Sequence, residues 1–233
     1  MIQTDEIYTA IQVSVDVVLL TLVEGELHVV LLRRTHAPFA GVWALPGGYI
    51  HADVDAHAQA SAARVLRDKA GIEGAYLEQL ATFTGPARDP RGWSVAIAYC
   101  ALIPAQSLAA VQNLPGDGAD LKLVPVSALI QLPFDHTAIV AAAVARVRSK
   151  SQYSSLPVHL CGPQFTLPQL QQVYEHVLGE PLNKVSFRRK MDEMALLEPV
   201  PGAMQAGGAH RPAQLYRVRE AFRQELALSV RGL

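Results

Sequence analysis

Cysteine is nearly absent: Cys100 and Cys161 are the only two in 233 residues. Two thiols so far apart supply neither a disulfide framework nor the ligands of a zinc site. Long apolar runs are missing as well. The longest, Val13 to Val23, is interrupted by Ser14, Asp16 and Thr21 and falls short of the ~18 residues that a membrane span requires. The N-terminal MIQTDEIYTA lacks the basic and apolar regions of a secretory signal. A cytoplasmic protein with reduced thiols and no membrane partner is therefore expected. Charged residues make up 18% and apolar residues 50%, the balance of a globular chain rather than a disordered one. The net charge of −1 hides an asymmetry. Residues 1–150 hold 11 Lys and Arg against 14 Asp and Glu; residues 151–233 hold 9 against 7, and four of those nine lie between Lys184 and Lys190. Local clustering matters more than net charge for docking on a polyanion.

What is present divides into two parts. Val13–Val23 is rich in β-branched residues and reads as a buried strand. Glu24-Gly25-Glu26 is a polar turn, and Leu27–Leu32 returns as the second strand of a hairpin. The loop THAPFAGVWALPGG follows, and then Ala52 to Lys69, without internal Gly or Pro, is expected to be helical and capped by Gly71. Strands are expected at Tyr76–Thr84 and Trp93–Ile103, either side of the turn-rich GPARDPRG, with a short strand at Leu123–Val126. Asp135–Lys150 reads as a helix with Arg146, Arg148 and Lys150 in its last turns. Ser151–Pro163 reads as a packed connector, which divides the chain into residues 1–150 and 151–233. In the second part, Thr166-Leu-Pro-Gln169 has the pattern of a capping box, and Leu167, Leu170, Val173, Tyr174 and Val177 recur at helical spacing. Gly179-Glu180-Pro181 ends that helix. Asn183 caps the next, with Val185, Phe187, Met191 and Met194 on its apolar side. Leu196–Val200, a glycine-rich loop over Pro201–Ala209, and Gln214–Val218 complete the outline of a helix-turn-helix with a wing.

Two stretches carry chemistry. In the first, Gly47-Gly48 lets backbone approach an anion closely. Leu45-Pro46-Gly47-Gly48, Arg64 and Gly71-Ile72, with Trp43 just ahead, resemble the Nudix box, G-x5-E-x7-R-E-U-x-E-E-x-G-U, of enzymes that hydrolyse nucleoside diphosphates linked to another group. The departures are as informative as the matches. Fifteen residues separate Gly48 from Arg64 where the box has 13; Arg-Glu is Arg64-Val65; and the paired glutamates fall on Asp68 and Lys69. In the family those glutamates hold magnesium and position the attacking water. A lysine at a metal position repels the cation. A ligand-binding pocket without catalytic or metal-ligating residues is expected, although a purely structural helix fits the same departures. Arg88 and Arg91 of the RDPRG loop, with Arg33 and Arg34 at a strand end, are suited to grip a diphosphate by fork-like hydrogen bonds. The candidate effector-binding set is Arg33, Trp43, Gly47, Gly48, Arg64, Arg88, Asp89 and Arg91.

In the second stretch, Lys184, Ser186, Arg188, Arg189 and Lys190 share a short helix whose other side is apolar. Such a helix suits the major groove, where arginine pairs with guanine and lysine neutralises phosphate. His210 and Arg211 fall near the wing tip, within reach of the minor groove or a phosphate. A basic run alone is usually just a solvated face; the helix-turn-helix and wing around it favour double-stranded DNA.

Residues Val13 to Val218 together resemble one family, the Nudix-related transcriptional regulators of NAD metabolism, or NrtR family. FTLPQLQQVYEHVLGEPLNKVSFRRKM, HRPAQLYRV, RDPRG and YLEQLATF carry the likeness. The resemblance implies a Nudix-like α/β/α sandwich followed by a winged helix-turn-helix domain. It also implies a homodimeric repressor that binds a palindromic operator and responds to ADP-ribose or a related nucleotide, with no cofactor required. The alternative is a Nudix hydrolase of ADP-ribose-type compounds with an accessory domain. An interaction module using its winged helix on another protein is a weaker third.

Overall fold

The alternation of β1 (Gln12–Val23) sets the architecture. Val18 and Leu20 point into one apolar core and Val15, Val17 and Leu19 into another, on opposite sides of the strand. A strand buried on both faces must lie inside a sheet covered by helices, which explains its nearly continuous apolar sequence. The computed structural model describes residues 11–112, 120–207, 210–223 and 225–229. β1 turns through Glu24 and Gly25, both with positive φ (51° and 83°), into antiparallel β2 (Glu26–Arg33), the two-residue turn that matches strand twist. β3 (Trp43–Ala44) pairs with β2, and β4 (Gly47–Tyr49) pairs with β1. Then come α1 (Ala58–Ala70), β5 (Tyr76–Gly85), β6 (Ser94–Leu102), α2 (Ala105–Gln112), β7 (Leu121–Pro125) and α3 (His136–Ser151). The sheet runs β3-β2-β1-β6-β5, with β1 and β6 parallel and β7 on β2. Val65 and Leu66 of α1 pack on one face; Ile139, Val140, Ala143 and Val147 of α3 pack on the other. This is the expected α/β/α sandwich.

The connector is packed, as its apolar residues imply. Leu156, Pro157, Val158 and Leu160 are buried in a short 3-10 segment. The winged helix follows: β8 (Phe165–Thr166), α4 (Leu167–Leu178), α5 (Lys184–Met194), β9 (Leu197–Gly207) and β10 (His210–Val218), with β10 central in a three-stranded sheet. The capping box of α4 forms: Thr166 accepts from the Gln169 backbone, and the Gln169 side chain accepts from the Thr166 backbone. Gly179 closes the helix with φ 78°.

Three elements differ from the expected outline. α1 begins at Ala58, not Ala52. The Asp55 carboxylate accepts from the His51 amide and His57 accepts from the Ala60 amide, so polar side chains hold residues 51–57 in turns. The segment Ala105–Gln112, with no assigned element in the sequence reading, is helix α2. Pro201–Gly207 is strand rather than loop. β9 is an edge strand, where proline costs no interior ladder bond. The C-terminal segment folds back on the winged helix: Ala227 is buried in its core and exchanges hydrogen bonds with Ser155.

α4 serves both cores. Leu170 and Tyr174 pack in the winged-helix core, while Val177 is buried in the sandwich core and Val173 packs against it. Val177→Ala is expected to lower stability by about 2 kcal/mol through lost burial and a residual cavity, measured as the urea midpoint of the whole chain. The connector contributes a pH term. His159 stacks on Tyr76 at 4.3 Å, and its buried Nε2 has no hydrogen-bond partner. Burial pushes its pKa down to about 4. The unfolded chain therefore takes up a proton below about pH 6.5 that the folded chain refuses. Stability conferred above that pH is lost as pH falls from about 6.5 towards 4, at up to ~1.4 kcal/mol per unit. His159→Phe keeps the stack, and its stability curve over that window is expected to be flatter than the parent's.

Candidate functional site

The β1–β4 pairing explains why two glycines follow Pro46. Gly47 lies opposite Asp16, and a Cβ there would stand 2.3 Å from Asp16 Oδ1. A Cβ on Gly48 would stand 3.2 Å from Val65. The glycines permit close packing against β1 and α1. They lie in extended strand, with the start of α1 ten residues beyond Gly48, so their amides do not open a helix N-terminus.

Beside them opens a cleft of about 780 Å³. Of the candidate effector residues, Arg33, Gly47, Gly48, Arg64, Arg88, Asp89 and Arg91 all line it. Trp43 does not; it packs against the sandwich core, with Lys122 Nζ 5.8 Å from its ring centroid. The sequence reading missed Asp16, Tyr49, Phe134 and His136, which also line the cleft. Asp16 had one visible signal, a carboxylate inside an apolar strand. His136 had none, because its role comes from α3 packing across the sheet.

Most of the arginine forks are engaged within the protein. Arg64 grips Asp55 through Nε (2.8 Å) and Nη2 (2.7 Å) and donates to the Tyr49 carbonyl. That contact holds the Asp55 carboxyl well below the usual carboxylate range and raises the Arg64 guanidinium. The Arg88 side chain is 7% exposed and grips Asp135 at 2.9 and 2.8 Å, with Ser94 at 3.0 Å and Asp16 at 3.5 Å. Arg91 grips Asp89 and meets the Tyr49 hydroxyl, and this pairing lowers the Asp89 carboxyl. Arg33 is exposed; its Nε donates to the Gly41 carbonyl at 3.1 Å and its Nη1 lies 3.5 Å from Asp120. His136 Nδ1 accepts from the Leu45 amide at 3.1 Å, and burial lowers its pKa, which keeps the ring neutral. The guanidinium forks of Arg88 and Arg91, and that of Arg64, are thus each engaged by a carboxylate of the protein itself.

The helix face that carries metal in Nudix hydrolases is differently furnished. Val65 is fully buried in the core. Asp68 pairs with Arg67 at 2.9 Å. Lys69 Nζ donates to the Gly47 carbonyl at 2.5 Å. Among the described residues no group of three or more His, Cys, Asp or Glu converges as metal ligands would. These side chains do not fit a helix-bound magnesium ion, because an ammonium lies where a second carboxylate is needed.

On α5, Lys184, Ser186, Arg188 and Arg189 are exposed on one side of Phe187, Met191 and Met194, which are buried. Asn183 caps the helix by accepting from the Val185 and Ser186 amides. Two positions exchange places relative to the sequence reading. Lys190 is 7% exposed and lies on the buried side, whereas Val185, expected on the apolar side, is 77% exposed. At 3.6 residues per turn Lys190 follows Phe187 by three, and so shares its face. Arg189 pairs with Glu193 at 3.6 Å in full exposure, a contact of little energetic weight. His210 and Arg211 have their backbone on β10, with His210 opposite Gly207; their side chains lie outside the described residues.

A family model described as the NUDIX domain matches residues 10–146, and one described as the NrtR DNA-binding winged helix domain matches residues 157–218. The ADPR responsive transcriptional repressor NtrR of Acinetobacter baylyi is 38% identical over 90% of this chain and 83% of its own length. The crystal structure of Shewanella oneidensis NrtR complexed with a 27mer DNA superposes with a TM-score of 0.83 at 35% identity, covering 95% of this chain and 99% of that one. The Nudix domain of the same S. oneidensis protein, complexed with ADP ribose, matches 60% of this chain and 90% of its own at 32% identity, with a TM-score of 0.51.

The buried charge cluster makes a direct prediction. Arg88→Met leaves Asp135 and Asp16 without their cation and is expected to cost about 3 kcal/mol in chemical denaturation. Adding Asp135→Asn is expected to recover part of that loss, because the uncompensated charge is then gone.

Proposed function

This chain belongs to the NrtR family, and from that premise we propose that it is a transcriptional repressor whose winged helix binds operator DNA and whose Nudix cleft senses ADP-ribose. The observation that carries the reading is the exposed face of α5. Lys184, Arg188 and Arg189 stand clear of the core, on the second helix of a helix-turn-helix, the helix that enters the major groove in such folds. The relatives support the rest. One is named as an ADPR-responsive repressor, one is seen with a 27mer DNA, and its Nudix domain is seen with ADP ribose.

In this reading Arg33, Gly47, Gly48, Arg64, Arg88, Asp89 and Arg91 shape the nucleotide site. Lys184, Ser186, Arg188 and Arg189 contact DNA, with His210 and Arg211 of the wing as further candidates. Lys190 is better placed as packing under the helix than as a DNA contact. The boundary falls within 151–163, between residues 1–150 and 151–233. The protein acts as a homodimer on a palindromic site, since two recognition helices need two half-sites about one helical turn apart. Its target genes belong to NAD metabolism. Nucleotide lowers DNA affinity by favouring a dimer whose recognition helices no longer match that spacing. Hydrolysis is not part of the reading, and what supports leaving it out is the Lys69 ammonium at the Gly47 carbonyl.

The test uses the full chain and a palindromic duplex selected from randomised DNA. Arg188→Ala with Arg189→Ala is expected to weaken binding by about a hundredfold, from ~1–3 kcal/mol per lost arginine contact, with an unchanged thermal midpoint. The salt slope is expected to fall by about two. Micromolar ADP-ribose is expected to release the parent protein. Wild-type binding by the double variant would clear α5 of the role, and repeated turnover of ADP-ribose to AMP would restore the hydrolase reading.

A further inference from the structure

We propose that Lys69 takes the place of a metal ion in this cleft: with Arg34 it clamps the diphosphate of the bound nucleotide, so that binding needs no divalent cation. The proposal deepens the sensor reading and relies on it for the identity of the nucleotide.

The charge pattern of the cleft points to these two residues. Arg33, Arg64, Arg88 and Arg91 each have a carboxylate partner: Asp120, Asp55, Asp135 and Asp89. Among the described residues Arg34 and Lys69 have no ion pair. Their polar partners are carbonyl oxygens, Gly47 for Lys69 and Pro38 and His36 for Arg34. Arg34 is held further by the Phe134 ring, 4.9 Å from its guanidinium carbon. Both cations line the same cleft.

Their surroundings favour an anion. Lys69 opens to the cleft, yet the walls crowd it enough to lower its pKa, and the charges of Arg34 and Arg64 lower it further. Burial also lowers Arg34, with Arg91 adding to the effect. Asp16, and for Arg34 also Asp89, offsets part of this, but neither cation is in an ion pair, and each stays partly desolvated beside like charges; a diphosphate between them supplies a direct counter-charge. The glycines make room for it. A Cβ on Gly48 would stand 3.5 Å from Lys69 Nζ, so the bare strand leaves the ammonium open on that side. The carbonyl contact holds the ammonium in position before any ligand arrives.

A titration calorimetry experiment on the full chain decides the matter. ADP-ribose is expected to bind equally in EDTA and in magnesium, within about twofold. Lys69→Gln is expected to weaken binding in EDTA by about tenfold or more, the scale of one charge-assisted hydrogen bond. Lys69→Arg is expected to retain most of the affinity. Inorganic pyrophosphate, followed by thermal stabilisation in EDTA, is the second probe and is expected to lose its effect in Lys69→Gln. If ADP-ribose binds the parent only with magnesium, or binds Lys69→Gln as tightly as the parent, the clamp is wrong while the sensor reading stands. If pyrophosphate stabilises the parent but not Lys69→Gln and ADP-ribose binds neither, the clamp stands and the choice of nucleotide falls. Absence of both ligands from the parent overturns both.

Discussion

Helix α4 is held by two apolar cores at once, and the relation between the sandwich and the winged helix depends on that double burial. Its Leu170 and Tyr174 are fully buried on one side and Val177 on the other. The Tyr174 hydroxyl also donates to the Ser154 carbonyl in the connector at 2.9 Å. Rotating the winged helix would have to uncover one of these faces, at roughly 25 cal/mol for each Å² of apolar surface exposed. The β1–β2 turn adds a steric stop. A Cβ on Gly25 would lie 2.9 Å from His176 of α4, so turn and helix are in direct contact. β2 therefore carries Arg33 at its cleft end and has its other end, through Gly25 and Leu27, against α4 and the core that holds Val177. A single strand thus spans the distance from the cleft to α4.

Where a structural choice rested on local chemistry, the sequence was legible. The capping box at Thr166, the left-handed stops at Gly71 and Gly179, and the two-sided burial of β1 all involve residues within a few positions of each other. Misreadings occurred where a distant partner decided. Residues 52–57 contain nothing that forbids a helix. They stay out of α1 because Asp55 binds Arg64 and the His51 amide. Pro201 and Gly202 look like the start of a loop, yet pairing with β10 draws them into an edge strand. Pro212, in the central strand, falls inside a register shift between His210 and Ala213, which is where a residue without an amide hydrogen is tolerated.

The cleft was legible as a list of residues and opaque as an electrostatic object. An arginine in a sequence reads as a free fork. Whether it is free depends on carboxylates that the fold brings from elsewhere: Asp135 reaches Arg88 across 47 positions and Asp16 across 72. No local pattern encodes those encounters. They engage Arg88, while Asp89 engages Arg91 from two positions away and Asp55 engages Arg64 from nine; among the described residues of the cleft, Arg34 and Lys69 are the cations without an ion pair.

The altered Nudix box is therefore better understood through what its replacement residues do than through what was lost. Val65 fills the sandwich core against Gly48, at a distance that a side chain on Gly48 would crowd. Lys69 turns a position suited to binding a cation into a cation. An enzyme gains rate only from contacts that strengthen in the transition state. A sensor needs the opposite, contacts made fully with the intact ligand and retained for as long as the signal lasts. Under the clamp proposed above, the Lys69 ammonium beside the Gly47 carbonyl meets both requirements of a sensor: it holds a ground-state diphosphate and activates no water.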